Sequence, residues 1–243
     1  MTQPKQRYIK NENRKWLISY LLLHIIMFAL FAGLINFNLT DTDELLSKIQ
    51  NPKGFIPLIA GILIIVLEGL FKNPVKEFLV FWRFKNRLPG HRSFIKIGPS
   101  DSRIDMGRVR SLFPEGLPED PKKQNTEWYR LYRKYQDVLQ VFHSHKAFLL
   151  TRDFASLTVI FLPLSIAGHF ILGSPQRMLT YHIIIILILF ISMSLAAKHY
   201  GERFVANVLI EAYIWIFAIR LKLFNILNNP APIQTVLSAQ KLK

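Results

Sequence analysis

Apolar residues in this chain gather into long runs instead of alternating with polar ones. The first run covers 16–36, WLISYLLLHIIMFALFAGLIN. A helix rises about 1.5 Å per residue, so about 20 apolar residues cross the hydrocarbon core of a bilayer. The second run, 55–71, is near the lower limit of that length, with Pro57 in its first turn and Lys72 and Pro74 closing it. The third, 154–172, carries Pro163 in its middle, which predicts a kinked span. The fourth, 181–197, follows a tight turn at 173–180 that contains Pro175. The pattern predicts an all-α integral membrane protein with four transmembrane helices.

A fifth apolar stretch, 204–219, is interrupted by Asn207 and Glu211. With Ala218 and Lys222 these fall near one stripe of a helix, which suits an amphipathic helix lying on the membrane or packed on another helix. The alternative is a fifth span. Loop charge favours the amphipathic reading. Lys5, Arg7, Lys10, Arg14 and Lys15 precede the first run; the loop after it carries Asp41, Asp43 and Glu44; and the segments after the second and fourth runs are basic. Basic segments stay in the cytoplasm, so both termini are expected inside, and a fifth span would expel a basic tail. The basic leader also fits a signal peptide, but the apolar run is long for one and no small-residue cleavage site follows, so a retained anchor is expected.

The segment 73–147 is too long for a connector and carries aromatic residues. Residues 75–85 read as an amphipathic helix at the membrane surface, with Phe78, Phe81 and Trp82 at the headgroups. Residues 86–123 are dense in turn formers, with a turn expected at Leu88-Pro89-Gly90-His91-Arg92 and one or two helical turns between Ser100 and Leu112. A helix follows, capped by Asn125 or Thr126, with Trp128, Leu131, Tyr132, Tyr135, Leu139 and Phe142 on one face. It can continue unbroken through Phe148 and Leu150 into the third span. The expected organisation is a basic tail (1–15), a transmembrane hairpin (16–72), a small, mainly helical basic cytosolic domain (73–147), a second hairpin (148–200), and an amphipathic helix with a cytosolic tail (201–243).

Charge sharpens this picture. The chain is 51% hydrophobic, yet carries 31 Lys+Arg against 16 Asp+Glu, a net charge of +15. Such an excess implies an anionic partner, either the lipid surface or a nucleotide or nucleic acid. The absence of cysteine excludes disulfides, thiolate metal sites and cysteine nucleophiles. No phosphate loop, nucleophile elbow or metal-ligand motif occurs, and His143 and His145, two apart, point to different helix faces. Neither an enzymatic activity nor a cofactor or metal is expected.

The candidate anion site is the cluster Lys85, Arg87, Arg92, Lys96, Arg103, Arg108 and Arg110, interleaved with Asp101 and Asp105 in a pattern that suggests ion pairing within a folded module. Candidate pore or gate residues are Glu68, near the end of the second span, and the neighbours Arg152 and Asp153 at the inner mouth of the third. Their structural reading is an interfacial charge pair and an anchor. His24, His169 and His182 lie in or beside spans, where interhelical hydrogen bonds are expected rather than a proton relay. No span has a continuous polar face, so a pore is expected to be narrow, hydrophobically gated or built at subunit contacts. Trp128, Tyr132 and Tyr135 are the candidate docking face for a soluble partner.

Four spans around a compact basic cytosolic insert, without a catalytic motif, resemble the membrane effectors of bacterial anti-phage defence systems. The resemblance covers the architecture of the whole chain. It implies a homo-oligomer of the bacterial inner membrane that forms a pore or disrupts the bilayer when a nucleotide or nucleic-acid signal changes. A non-conducting membrane anchor for a soluble partner, and a small transporter coupled through Glu68, are the alternatives.

Overall fold

The computed structural model of the chain describes residues 4–34, 69 and 71–228, with side chains placed within 9–215. Every element is helical, and among the described residues there is no strand. Six helices matter: α1 (Pro4–Phe31), α2 (Asn73–Phe81), α3 (Met106–Arg110), α4 (Pro121–Tyr135), α5 (Leu139–Leu172) and α6 (Gln176–Asn228). Among the described residues, three segments are long and apolar enough to cross a membrane: Glu12–Phe31, Leu139–Leu172 and Gln176–Trp215. The second expected span, 55–71, with Glu68, lies outside the described residues apart from 69 and 71.

The chain forms two compact units. The first comprises Met1–Leu88 with Phe142–Phe204, the second Pro89–Val141 with Val205–Lys243. The helix α2 belongs with the first unit, and the stretch from Val205 onward belongs with the second.

In the first unit α1, α5 and α6 pack around Tyr20, Leu21, Phe28, Leu157, Ile160, Phe161 and Ile186. Lipid offers apolar surface as good as leucine, so close approach and interhelical hydrogen bonds must hold such a bundle. Both are present. A Cβ on Gly168 would stand 2.5 Å from Cζ of Phe28, so that ring lies directly on the backbone of α5. Gly201 of α6 is met by Phe148 of α5 and Phe81 of α2, each at 3.2 Å from where a Cβ would be. The Asn13 side-chain amide donates to the Lys146 carbonyl at 3.2 Å, and Glu12 pairs with Lys146. The Ser194 hydroxyl donates to the Leu79 carbonyl at 3.3 Å. Outward faces remain apolar, with Trp16, Leu22, Ile26, Ile184, Ile188 and Leu195 all exposed.

The second unit has a core of the soluble kind. Phe94, Ile97, Val109, Trp128, Tyr132, Val141, Val205 and Leu209 are buried in it. Its proline-rich part is organised by Gln124, which is buried. The backbone N–H groups of Phe94 and Ile95 donate to Oε1 of Gln124, at 3.2 and 3.4 Å, and its amide donates to the Glu119 carbonyl at 2.9 Å. One side chain therefore accepts from two N–H groups in the first turn of the π helix Ser93–Ile97.

Several expected boundaries differ. The N-terminal tail is helical from Pro4, as part of α1. The surface helix is shorter than 75–85: α2 ends at Phe81, and Trp82, at φ 50°, is a left-handed cap. Asp120, not Asn125 or Thr126, caps α4, because its carboxylate accepts from the Lys123 N–H and Pro121 needs no N–H at the first position. The helix α4 stops at Tyr135, and a turn closed by the Val138 N–H on the Tyr135 carbonyl precedes α5, so no unbroken lever runs from Glu127 into the third span. The helix α6 has no break between 197 and 204, so 204–219 neither recrosses a membrane as a fifth span nor forms a separate helix. It packs within the second unit: Val205 to Ile210 and Ala212 are buried.

Gln124→Leu keeps volume and removes both acceptor and donor. Buried N–H groups left without a partner cost about 1–3 kcal/mol. The expected result is a lower thermal midpoint of the detergent-purified protein, with accelerated amide exchange at Phe94 and Ile95. Unchanged exchange there would assign those N–H groups another acceptor.

Candidate functional site

The first unit carries an internal polar column assembled from three helices. The helix α1 supplies Tyr20 and His24 at i, i+4. The helix α5 supplies Thr158, Ser165 and His169 at i, i+7, i+11, on one face. The helix α6 supplies His182. Each is less than a tenth exposed. His169 Nε2 and His182 Nδ1 share a hydrogen bond of 3.0 Å. Phe28 and Phe31 enclose this pair: Phe28 meets both rings, with centroids 5.4 and 6.0 Å away, and Phe31 stacks on His182 at 5.2 Å.

His24 sits one turn from Phe28 on α1. Its ring meets Phe161 at 4.7 Å and the edge of Tyr20 at 4.8 Å. The Thr158 hydroxyl donates to the Phe154 carbonyl at 2.9 Å, so the 2.8 Å contact between Tyr20 and Thr158 has the tyrosine as donor. Among the described residues, both nitrogens of His24, Nδ1 of His169, Nε2 of His182 and Oγ of Ser165 have no hydrogen-bond partner.

Three charged groups form a second cluster in the same unit. Lys76 of α2 pairs with Asp153 of α5 at 3.2 Å, and the Arg152 guanidinium pairs with the same carboxylate at 3.1 Å. Their side chains are 10–18% exposed, so the network is mostly desolvated. Glu77 stands beside it. Burial pushes its carboxyl above the ordinary carboxylate range, opposed by the positive charges of Arg152 and Arg87. Arg152 and Asp153, expected as a gate or an interfacial pair, are thus joined by Lys76, which sequence spacing did not single out.

The basic cluster does not form one continuous group within either unit. Lys85 and Arg87 belong to the first unit, and Arg87 donates to the Arg83 carbonyl at 2.9 Å. Arg92, Lys96, Arg103, Arg108 and Arg110 belong to the second. There Arg103 clamps Asp101 through two donors, at 2.9 and 2.6 Å, and Arg108 pairs with Asp105 at 3.0 Å. This is the internal ion pairing that the interleaved aspartates suggested. Asp105 also caps α3 by accepting from the Arg108 N–H. Lys96 and Arg110 are exposed. The Tyr213 hydroxyl donates to the Arg103 carbonyl at 2.8 Å, which fixes this loop to α6.

Trp128, Tyr132 and Tyr135, expected as a docking face, are buried at 6%, 4% and 5% exposure. The Trp128 indole N–H donates to the Val205 carbonyl at 3.4 Å, Trp128 stacks on Tyr132, and Tyr135 meets Trp215. That face serves internal packing. Glu68 lies outside the described residues. Among the described residues no three His, Asp or Glu side chains converge as a metal site.

Sequence reasoning named the three histidines but missed Tyr20, Thr158 and Ser165. The signal was there in the shared face of Thr158, Ser165 and His169 on α5. No family model, curated protein or solved structure matches this chain.

Asp153→Asn removes the carboxylate that Lys76 and Arg152 share. A half-broken buried network costs more than its complete removal. A loss of about 2 kcal/mol is expected for Asp153→Asn, with part recovered in the Lys76→Met/Asp153→Leu double variant. Thermal unfolding in detergent measures both, and strictly additive losses would deny the coupling.

Proposed function

We propose that the chain is a pore-forming effector of the bacterial inner membrane that acts as a homo-oligomer. Its gate responds to a nucleotide or nucleic acid at the basic cytosolic residues, and its biological setting is anti-phage defence. The observation that carries the conducting part is the polar column from Tyr20 to His182. Ionisable groups inside transmembrane bundles are costly and mark ion or proton pathways.

The ligand-responsive part rests on charge. Arg92, Lys96, Arg103, Arg108 and Arg110 give the second unit a local cationic surface, and the chain's excess of +15 lies largely outside its spans. A phosphate can compete with Asp101 for Arg103 and with Asp105 for Arg108, since guanidinium binds both anions in the same bidentate manner. Exchange of partners at these arginines would move the loop that Tyr213 ties to α6. The proposed topology has four spans, both termini in the cytoplasm, and residues 89–141 on the cytoplasmic side.

Two measurements test this. The chain lacks cysteine, so single cysteines report on topology without background. Ser111→Cys is expected to react with an impermeant maleimide only after lysis, and Gln176→Cys in intact cells; the reverse would invert the topology. In sealed liposomes, purified protein is expected to pass ions in a manner that added oligonucleotides switch. Flux that ignores oligonucleotides would leave a channel or transporter whose basic unit meets only lipid. No flux from inserted protein would leave a non-conducting anchor.

A further inference from the structure

We propose that the permeating species is the proton, carried by the His169–His182 pair and His24. This rests on the conducting reading above and deepens it. The geometry of the pair carries the inference. Two imidazoles share one hydrogen bond through His169 Nε2 and His182 Nδ1, and the two remaining nitrogens, His182 Nε2 and His169 Nδ1, are buried and unpartnered among the described residues. A structural pair needs only the shared bond. A pair with a vacant nitrogen at each end is a two-ring wire.

The transfer balances without any other reactant. A proton binds His182 Nε2. The Nδ1 proton of that ring passes across the 3.0 Å bond to His169 Nε2, and His169 releases its own Nδ1 proton on the far side. Each ring ends neutral, in the opposite tautomer, and a ring flip or the return of a proton restores the start. Imidazole suits this role because its charge changes near neutral pH and each nitrogen both donates and accepts.

The next polar groups are Ser165, one turn away on α5, and His24 of α1, whose two nitrogens are also buried and unpartnered among the described residues. Proton movement between His24 and the pair would run through water hydrogen-bonded to these nitrogens, since buried polar groups without protein partners are the ones that hold ordered water. Beyond His24 come Tyr20 and Thr158. Among the described residues, aromatic rings pack on the column. Phe28 and Phe31 sit on the histidine pair, Phe161 on His24, and Phe154 stacks on Tyr20 at 4.2 Å. Protons pass through bonds in such a column, whereas potassium would need an open bore. No carboxylate or cation of the described residues is hydrogen-bonded or ion-paired to these histidines; Arg177, five residues before His182 on α6, donates to the Tyr181 hydroxyl at 2.8 Å.

The test uses the full chain in liposomes that enclose a pH-sensitive dye, with a potassium-reporting dye in parallel, each with and without oligonucleotide. The wild type is expected to acidify the lumen and to leave potassium in place. His182→Asn and His169→Gln keep hydrogen-bonding capacity but cannot titrate, and each is expected to cut proton flux at least tenfold. Size-exclusion profile and circular dichroism confirm that each variant is folded, and His24→Gln provides a third variant away from the pair. Deuterated buffer is expected to slow wild-type flux severalfold. Potassium flux that survives all three substitutions would overturn the relay and leave the pore reading standing. Proton flux unchanged in the folded variants would do the same. No flux of either ion in any condition would overturn both.

Discussion

A polar side chain inside a bilayer has no water to turn to, and this structure is organised by that constraint. Backbone groups satisfy it by forming helices. Side chains satisfy it only by meeting one another across helices, which fixes the register of α1, α5 and α6. The Tyr20–Thr158 bond ties α1 to α5 and the His169–His182 bond ties α5 to α6, 11 residues apart along α5, so α5 is held to both neighbours. Gly168 completes the arrangement by letting Phe28 lie against the α5 backbone beside His169. The bundle is therefore specified by a few polar contacts and one close approach, and the apolar remainder fills space around them.

The second unit solves a different problem. Its proline-rich stretch cannot build a long helix, so side chains stand in for missing backbone partners. Gln124 serves the turn at Ser93–Ile97, Asp105 caps α3, and Asp120 caps α4. Two consequences follow for the basic loop. Arg103 and Arg108 are paired with Asp101 and Asp105, which lowers the entropic cost of ordering them on an anion. The same aspartates must be displaced or shared when it binds, so ligand and local structure are coupled.

Much of the membrane part was legible in the sequence because span length and loop charge are one-dimensional properties. The run that begins at 16, as far as Phe31, and the runs at 154–172 and 181–197 fall within helices long and apolar enough to cross a membrane. What was lost were helix ends and continuity. Asp120-Pro121 carries a stronger start signal than Asn125 or Thr126, since it unites a capping carboxylate with a residue that needs no hydrogen-bond partner. The stretch Lys198 to Arg203 looked like a boundary because it is polar, yet apart from Gly201 nothing in it breaks a helix, and α6 runs through. The aromatic face of α4 was recognised as apolar, but periodicity cannot say whether such a face meets a partner or the chain itself.

The histidines mark where sequence reading runs out for a physical reason. Convergence of His24, His169 and His182 depends on the relative register of three helices, and spacing within one helix holds no information on it. Once they converge, their chemistry argues for use. A leucine at each position would leave no polar atom unsatisfied. A single Asn–Asn contact would lock the register with one bond and no titratable group. The chain instead holds three imidazoles in its first unit, with four ring nitrogens unpartnered among the described residues, at a cost in stability that register alone does not require. The arrangement fits a site where protons must be taken up and released, and aromatic walls keep everything larger out.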